Sequence, residues 1–444
     1  MTGGAAAEPE AEAALDRLHP ADAAEALAEL APDAAIARLL SLPLRQQALI
    51  FGYLEPGQQV ALAEAMPRAA LARLVSAMSS DERADLVRRL DAQARAALLP
   101  ALAQAERDDI ARLIAYPEGT AGSVMSSEYA SLPPDISVAA AIARLREIAP
   151  DSETIYDAYV VDEDRRLIGV VSLRDLILAP ETARVGDIMV TDVIAAHALD
   201  PREEVARTLS DYDLLALPLL DAEGRLVGIL TADDAMDVAE EEATRNILKG
   251  SAVTEGPGGE GLVASLRSAS VFLIYRMRIF WLVGLVFGNI FSGLGIARFE
   301  EVIEANIALV FFLPLLIASG GNAGAQSATL VVRGMATGDV EPSDWLVLVA
   351  REVVIAGLLG LTMAVAVSAI GLARGGPGIA LVVALAMTAI VLVGALIGLS
   401  LPFLLQRLGL DPATASGPLV TSIADVIGVL IYLGIASRLL SIET

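Results

Sequence analysis

The sequence predicts a multidomain membrane protein. It comprises an α-helical, superhelical N-terminal domain, two tandem α/β units, a connecting helix and an all-α domain of five membrane-spanning helices. Three observations support this division. The formal net charge is −25, and almost all of it lies in residues 1–262. Residues 263–444 are nearly neutral and contain long apolar runs, whereas two sets of internal repeats occupy the acidic part.

The sequence of the first 120 residues predicts a short tail followed by a superhelix of short helices. Residues 1–14 are rich in Ala, Glu and Pro, so we expect a disordered tail there. Residues 15–120 form the acidic helical domain, in which apolar-periodic segments are separated by Pro and Asp, residues that favour helix starts. The segments LHPADAAEALAEL, LEPGQQVALAEAM and MSSDERADLVRRL are similar to one another, which indicates a helical repeat. A packing scaffold and a regulatory domain are both consistent with this pattern.

Residues 121–239 predict two α/β units, 121–184 and 185–239. The run AYVVDEDRRLIGVVSLRDLI in the first unit matches ALPLLDAEGRLVGILTADDAM in the second. Each unit has the predicted order strand, helix, strand, turn, strand, helix. Two such units, each ending in the pattern G-[VI]-[VL]-[ST]-x-x-D-[LA], resemble a pair of CBS domains. The resemblance implies a regulatory role and binding of an adenine nucleotide or an ion.

A charged segment, residues 240–268, connects the acidic part to the apolar part. It continues a predicted helix and then passes through a Gly/Pro-rich linker, Gly256 to Gly261. The domain 269–444 contains five apolar spans, each long enough to cross about 30 Å of hydrocarbon. The second span contains Pro314 and a Gly-rich break, so its membrane part is expected to end near residue 319. The spans lie near 271–295, 302–333, 346–370, 378–404 and 418–439.

Composition excludes several classes of protein. The chain has no Cys and only two histidines, His19 and His197, which excludes disulfides, thiolate zinc sites and His-based metal clusters. An acidic soluble part is unsuited to nucleic acid. Phosphate-loop, zincin and nucleophile-elbow motifs are missing from the sequence, so we expect no enzyme activity and no catalytic residues. The N-terminus does not read as a signal peptide, which predicts cytoplasmic N-terminal domains and, after five spans, a C-terminus outside.

Asp425 is a carboxylate within the fifth span. Such a group costs at least about 2.5 kcal/mol unless it faces water, a partner or an ion. Asp is a hard oxygen ligand suited to Mg²⁺ or Ca²⁺, so Asp425 is a candidate pore ligand; a protonated or hydrogen-bonded structural Asp is the alternative. Because one carboxylate holds a divalent ion poorly, two copies related by a two-fold axis would bring two Asp425 side chains to one hydrated ion.

A polar, Gly-rich stretch occupies the second span and the residues after it. Irregular backbone at that depth persists only where it is buried in protein or lines water, so its carbonyls and amides are candidate ion contacts. Close packing of helices through small residues is the alternative. Asp411 opens the loop into the fifth span, where it is either a ligand or a helix cap. The candidate pore-lining residues are Pro314, Gly320, Gly321, Asn322, Gly324 and Gln326.

Over residues 15–440 the chain resembles the MgtE family of magnesium channels. The order of domains matches from end to end, and the specific motifs are P-x5-GGN-x-G-x-QS from Pro314 and DP-x4-GP…ADV-x-G from Asp411. The resemblance implies a homodimer in the inner (plasma) membrane of a bacterium, with the pore on the dimer axis. It also implies that Asp425 holds hydrated Mg²⁺, that Asp411 lies at the cytoplasmic pore mouth, and that the connecting helix is a plug.

The resemblance further implies feedback by the transported ion. Mg²⁺ bound between acidic faces of the N domain, the CBS pair and the plug would close the pore, and the CBS pair would be able to take ATP or another adenine nucleotide. The charge favours this independently, because an acidic part repels itself until divalent ions bridge its carboxylates. The chain departs from the family at Arg245 and Asn246, where acidic residues are common. The implied regulatory ligands are Asp81, Asp85, Glu203, Asp213, Asp234, Asp237 and Glu242.

Two other functions are alternatives to a channel. One is an ion-coupled secondary transporter of divalent cations, in which Asp425 carries protons. Conduction that ignores a proton or sodium gradient would distinguish a channel from it. The other is a membrane-anchored CBS sensor without transport, in which Asp425 would be dispensable.

Overall fold

The computed structural model describes Leu15 and residues 17–253 and 271–440. The predicted tail, residues 1–14, and the predicted linker, Gly256 to Gly261, lie outside the described residues. The chain divides into two compact units, Met1–Glu242 and Ala243–Thr444.

Eight short α-helices form the first part of unit one within its described residues. Pro20, Pro32 and Pro56 are the first residues of their helices, and the Asp91 carboxylate caps another by accepting a hydrogen bond from the Ala94 N–H at 2.6 Å. Helices two positions apart along the chain pack together, an arrangement consistent with the predicted superhelix of short helices. The helices are α1 (Pro20–Ala28), α2 (Pro32–Leu40), α3 (Leu44–Gly52), α4 (Pro56–Ala65), α5 (Arg68–Ser76), α6 (Ser80–Arg89), α7 (Ala92–Leu98) and α8 (Gln104–Ile114).

Two three-stranded sheets complete unit one, and their element order confirms the predicted tandem repeat. In each sheet the first strand pairs parallel with the second, and the second pairs antiparallel with the third. The first repeat is β1 (Tyr129–Leu132), α9 (Val138–Ile148), β2 (Thr154–Val161), β3 (Leu167–Ser172) and α10 (Leu173–Leu178). After α11 (Val185–Ile188), the second repeat is β4 (Ala196–His197), α12 (Arg202–Asp211), β5 (Ala216–Leu220), β6 (Leu226–Thr231) and α13 (Ala232–Gly250).

The same Asp-initiated turn joins the antiparallel strands in both repeats. The Asp162 carboxylate accepts hydrogen bonds from the backbone N–H groups of Asp164 and Arg166. The Asp221 carboxylate accepts the equivalent pair in the second repeat. These side chains complete the turns that the sequences DEDRR and DAEGR predict between two strands.

Unit two contains four helices that are long and apolar enough to cross a membrane within its described residues. They are α14 (Val271–Ala297), α16 (Ala308–Thr337), α17 (Trp345–Arg407) and α18 (Gly417–Leu440), and the short α15 (Glu300–Ala305) follows α14. The buried side chains of α16, α17 and α18 form one apolar core. Short 3-10 turns precede the last two helices, at Pro342–Asp344 and Pro412–Thr414.

Helix α17 is folded back on itself. Its 63 residues would extend about 95 Å as a straight helix, three times the thickness of a bilayer core. Gly376 interrupts it with φ 76° and ψ −173°, a conformation open mainly to glycine. A Cβ built on Gly371 would lie 2.8 Å from the Cα of Ala380, so the two arms lie side by side. The predicted third and fourth spans correspond to these two arms.

Candidate functional site

Asp425 lies on the face of α18 that packs against the neighbouring helices. Thr421, Asp425 and Gly428 follow one another at helical spacing on this face. A Cβ on Gly321 of α16 would lie 2.7 Å from the Thr421 methyl group, and a Cβ on Gly428 would meet Ile390 of α17 at 3.6 Å. The Oδ1 atom of Asp425 is buried and has no hydrogen-bond partner within the described residues. A carboxylate with an unpartnered oxygen in an apolar helix fits a cation ligand.

The Gly-rich stretch of the second span is regular helix, so the predicted break near residue 319 is wrong. Helix α16 continues to Thr337 and includes Pro314. The glycines of α16 pack directly against glycines of α17. A Cβ on Gly394 of α17 would lie 2.3 Å from the Gly320 carbonyl oxygen, and one on Gly398 would lie 1.9 Å from the Gly324 carbonyl oxygen. Two Gly-x-x-x-Gly pairs therefore let α16 and α17 approach backbone to backbone. These glycines therefore fit the alternative interpretation of the sequence, in which small residues allow helices to pack closely.

The polar residues of the same stretch point away from that contact. Asn322 and Gln326 are four residues apart and both are exposed, whereas Gly321 and Gly324 are buried. A surface of α16 that carries two amides is thus available to water, an ion or a second chain. The backbone carbonyls of this segment form the hydrogen bonds of the helix. The groups of the segment that could contact an ion are therefore the side-chain amides of Asn322 and Gln326.

Glu352 is a second carboxylate within an apolar helix, and the sequence analysis missed it. It lies in the third turn of α17, and its Oε1 accepts a hydrogen bond of 2.5 Å from the Ser327 hydroxyl of α16. Ser327 follows Gln326 directly, so Glu352 fixes the end of the polar stretch. A Glu within eight residues of the start of a span was the available signal.

Asp411 caps the turn that leads into α18, as the cap alternative predicted. Its Oδ1 atom accepts a hydrogen bond of 2.8 Å from the Ala413 N–H. Its Oδ2 atom accepts one of 2.6 Å from the Lys249 ammonium group at the end of α13. Each oxygen of the Asp411 carboxylate thus accepts one hydrogen bond, and both donors belong to unit two, which begins at Ala243 and so includes the second half of α13.

Two predicted regulatory ligands, Asp81 and Asp234, lie close together in unit one. Asp81 is on α6 of the helical domain, and Asp234 is in the first turn of α13, after the second sheet. Burial raises the pKa of Asp234 to about 8, with the Asp81 carboxyl as the next cause. Burial likewise raises the pKa of Asp81 to about 6, and that of the adjacent Glu82, again helped by Asp81, to about 7. Because charged carboxylates this close together would repel one another, the raised pKa values leave the group partly protonated at neutral pH.

Within the described residues the remaining predicted regulatory ligands form no metal-binding group with Asp81 and Asp234, although Asp85 lies near enough to Asp81 to raise its pKa. Asp85 forms ion pairs with Arg88 at 3.0 Å and Arg89 at 3.5 Å. Glu203 lies 3.6 Å from the guanidinium of Arg202. Within the described residues, groups of three or more His, Asp or Glu side chains arranged around one point are absent. The other members of the predicted set are Asp213, at a positive φ of 50°, and Asp237 and Glu242 on α13.

We expect unit one to lose stability as pH rises, because its buried carboxyls have raised pKa values. Between pH 4 and 8 the folded state holds protons that the unfolded chain has released, so the free energy of unfolding falls as pH increases. Asp234→Asn should reduce the fall between pH 5 and 8 by about 2 kcal/mol. Urea unfolding of residues 1–242 in EDTA, followed by circular dichroism, measures it. The exposed Asp192→Asn is the control, and an unchanged pH dependence in Asp234→Asn would contradict the expectation.

Comparison with known proteins extends over both units. Residues 313–435 match the MgtE family of divalent cation transporters, residues 18–119 match the MgtE intracellular N domain, and residues 121–181 and 185–241 each match the CBS domain. A magnesium transporter, MgtE, of Thermus thermophilus is 42% identical over 429 residues, which is 96% of this chain and 94% of that protein. The Bacillus subtilis MgtE is 32% identical and covers 95% of this chain and 92% of its own.

A solved structure is similar to unit one. The crystal structure of the soluble part of a magnesium transporter is 33% identical to this chain, with a TM-score of 0.50. The similarity covers 52% of this chain and 90% of that one.

Proposed function

The chain belongs to the MgtE family of magnesium transporters, and from this premise we propose that it is a homodimeric, magnesium-selective channel closed by cytosolic Mg²⁺. The observation that carries the pore assignment is the unpartnered carboxylate oxygen of Asp425 in α18. Asp425 is half-buried, and a carboxylate at membrane depth costs at least about 2.5 kcal/mol, which a passing cation offsets. Magnesium keeps most of its waters, so a carboxylate suits it as a contact to the hydrated ion.

We propose five membrane crossings, with the two arms of α17 as the third and fourth. The kink at Gly376 and the contact between Gly371 and Ala380 support this count. Arg276, Arg333 and Arg407 lie at ends of the crossings that would then share the cytoplasmic side. In this arrangement the N-terminal domains are cytoplasmic and the C-terminus is outside, and the proposed location is the inner membrane of a bacterium.

A homodimer provides a second carboxylate for the ion, which one chain lacks. One Asp425 provides too few ligands for a divalent ion, and a two-fold axis beside α18 provides two. Helix α14 leaves most of its apolar surface exposed and packs loosely on α18, with an apolar cavity of about 980 Å³ between them. A second chain or lipid tails would cover this surface.

We propose that Mg²⁺ closes the channel by bridging acidic side chains of unit one. Two charged carboxylates at Asp81 and Asp234 would repel one another, and this repulsion adds to the effect of burial in raising the pKa of Asp234. A divalent cation between them would displace the bound proton, offset the repulsion of the two carboxylates and favour the compact state. The acidic helix α13 then acts as the plug. The other carboxylates of the predicted set, which the described conformation leaves apart, would complete further sites across the dimer.

The variant Asp81→Asn/Asp234→Asn should make flux less sensitive to cytosolic Mg²⁺. Two amides neither repel one another nor bridge a cation, so the ratio of flux at low to flux at high Mg²⁺ should fall towards one. Proteoliposome flux, measured as Mg²⁺ is varied on the side of the soluble domains, tests this. The single exposed variant Asp192→Asn should keep the wild-type ratio. A double variant that retains the full wild-type ratio would place the sensor elsewhere.

We also propose that the CBS pair takes ATP or another adenine nucleotide as a modulator. The Ser172 hydroxyl donates a hydrogen bond of 2.6 Å to the Asp175 carboxylate at the end of the first repeat. Such an exposed carboxylate accepts hydrogen bonds from the hydroxyls of a ribose. Calorimetric titration of the wild type and of Asp175→Ala with ATP tests this proposal.

The channel is distinguished from its alternatives by the driving force for flux. A channel conducts along the Mg²⁺ gradient and the voltage, and an imposed proton or sodium gradient leaves its flux unchanged. A coupled transporter that uses Asp425 for protons would respond to the proton gradient at constant voltage. A sensor without transport would give no flux above that of protein-free liposomes.

A further inference from the structure

Lys249 is the only lysine in the chain, whose other 30 basic residues are arginines. It lies in the last turn of α13, and its ammonium group donates a hydrogen bond of 2.6 Å to Oδ2 of Asp411. Both side chains are partly exposed, at 32% and 42%. The pair joins the end of α13 to the loop 408–416, which leads into α18 and Asp425.

Both carboxylate oxygens of Asp411 already accept a hydrogen bond in this arrangement, one of them from a positively charged group. Its Oδ1 atom accepts the Ala413 N–H, and its Oδ2 atom accepts Lys249. A magnesium ion, or the water molecules it retains, would need one of these oxygens. Arg245 and Asn246, on the same stretch of α13, contribute no carboxylate to the site. The positive charge of Lys249, in contact with the carboxylate, therefore opposes the role of metal ligand implied for Asp411.

We propose that Lys249 is a tethered cation that takes the place of a divalent ion at Asp411, and that Asp411 becomes a Mg²⁺ site only when the end of α13 withdraws. The inference rests on the proposed function, because it takes the loop 408–416 as the mouth of a cation path. A fixed ammonium there cancels the charge of Asp411 and lowers the local concentration of Mg²⁺. Lys249 thus opposes cation entry without any bound metal.

A lysine at position 249 is suited to a contact with Asp411 that breaks and re-forms. A guanidinium holds a carboxylate with two parallel hydrogen bonds, whereas an ammonium is a compact, strongly hydrated point charge. A partly exposed Lys–Asp pair is weak and is screened by salt, so Mg²⁺ at millimolar concentration competes with it. An arginine at this position would hold the loop more firmly.

Magnesium-dependent stability of the full chain tests the cation site without reference to transport. Thermal unfolding in detergent is measured with and without Mg²⁺ for the wild type, Lys249→Met, Lys249→Arg and Lys249→Met/Asp411→Asn. We expect Mg²⁺ to raise the melting temperature more in Lys249→Met than in the wild type. The extra rise should vanish in the double variant, and Lys249→Arg, which keeps the positive charge and holds the loop more firmly, should show a rise no larger than that of the wild type. Equal responses of Lys249→Met and the wild type, or an extra rise that persists without Asp411, would overturn the proposal.

Flux tests the consequence for cation entry. At low cytosolic Mg²⁺, Lys249→Met should increase the flux about two- to fivefold, the factor expected for removal of a partly exposed ion pair. Lys249→Met/Asp411→Asn should lose this increase, and the exposed control Arg333→Met should leave flux unchanged. An unchanged flux in Lys249→Met would overturn the entry role. Failure of the proposed function is distinct, because the wild type itself would then conduct no Mg²⁺.

Discussion

Replacement of Asp425 by Ala is expected to reduce magnesium flux to the level of protein-free liposomes. The carboxylate is the candidate contact for the ion within the span, and its Oδ1 atom lacks a hydrogen-bond partner within the described residues. The methyl group of alanine has no oxygen atom that could contact the hydrated ion or replace a water molecule that the ion loses. Stopped-flow fluorescence of a magnesium indicator inside proteoliposomes measures the loss.

The same variant should remain folded, which separates loss of function from loss of structure. A carboxylate at membrane depth costs at least about 2.5 kcal/mol, so its removal should leave the melting temperature unchanged or higher. Asp425→Asn keeps the shape and removes the charge, and it should also fail to conduct. Ser422→Ala is the matched control, because Ser422 lines the apolar cavity towards α14 on the same helix. Normal flux in Asp425→Ala would make Asp425 a structural residue.

Replacement of Gly398 by Ala should have the second large effect, a loss of folded protein. The new Cβ would lie 1.9 Å from the carbonyl oxygen of Gly324 and 2.6 Å from its carbonyl carbon. Backbone atoms cannot rotate away as a side chain does, so α16 and α17 must separate. Overpacking of this kind costs about 1–3 kcal/mol and sometimes more, and we expect the upper part of that range. The yield of monodisperse protein and its melting temperature measure the effect.

Gly357 supplies the matched control for this substitution. It lies in the first arm of the same helix, and a Cβ built on it meets no atom within 4 Å. Ala at a helical glycine with free space is neutral or stabilises by about 0.5–1 kcal/mol. If Gly398→Ala were as well tolerated as Gly357→Ala, the close approach of α16 and α17 would be wrong.

Features with a local cause were predictable from the sequence. The order of elements in the two repeats follows from strand and helix periodicity, and the turns at Asp162 and Asp221 follow from an Asp side chain that binds backbone N–H groups two and four residues on. Proline at the start of a helix is likewise a local signal. The apolar spans were predictable from length and hydropathy alone.

Features that depend on distant residues were not predictable in the same way. The stretch around Gly320 is compatible with irregular backbone and with tight helix packing, and only its contact with Gly394 and Gly398 decides between them. The pairing of Lys249 with Asp411 joins residues 162 positions apart. Periodicity places each residue on its own element but carries no information about which elements meet.

The candidate regulatory site shows the same limit. Asp81 and Asp234 are ordinary acidic residues in sequence, and each is most simply interpreted as part of a solvated face. Their burial and mutual repulsion arise because α6 packs near the start of α13. The resemblance to a family identified these two residues as part of a set of seven candidate carboxylates. The seven do not come together at one point within the described residues.

The most direct test of the account is the flux of the wild-type chain as Mg²⁺ is raised on the side of the soluble domains. A channel closed by its own ion should conduct Mg²⁺ at low concentration and lose that conduction as the acidic side chains of unit one become bridged. Inside-out proteoliposomes, with voltage clamped by a potassium gradient and valinomycin, provide the measurement. Flux that falls with rising Mg²⁺ is the predicted result, and flux that rises to a plateau without inhibition would contradict the account.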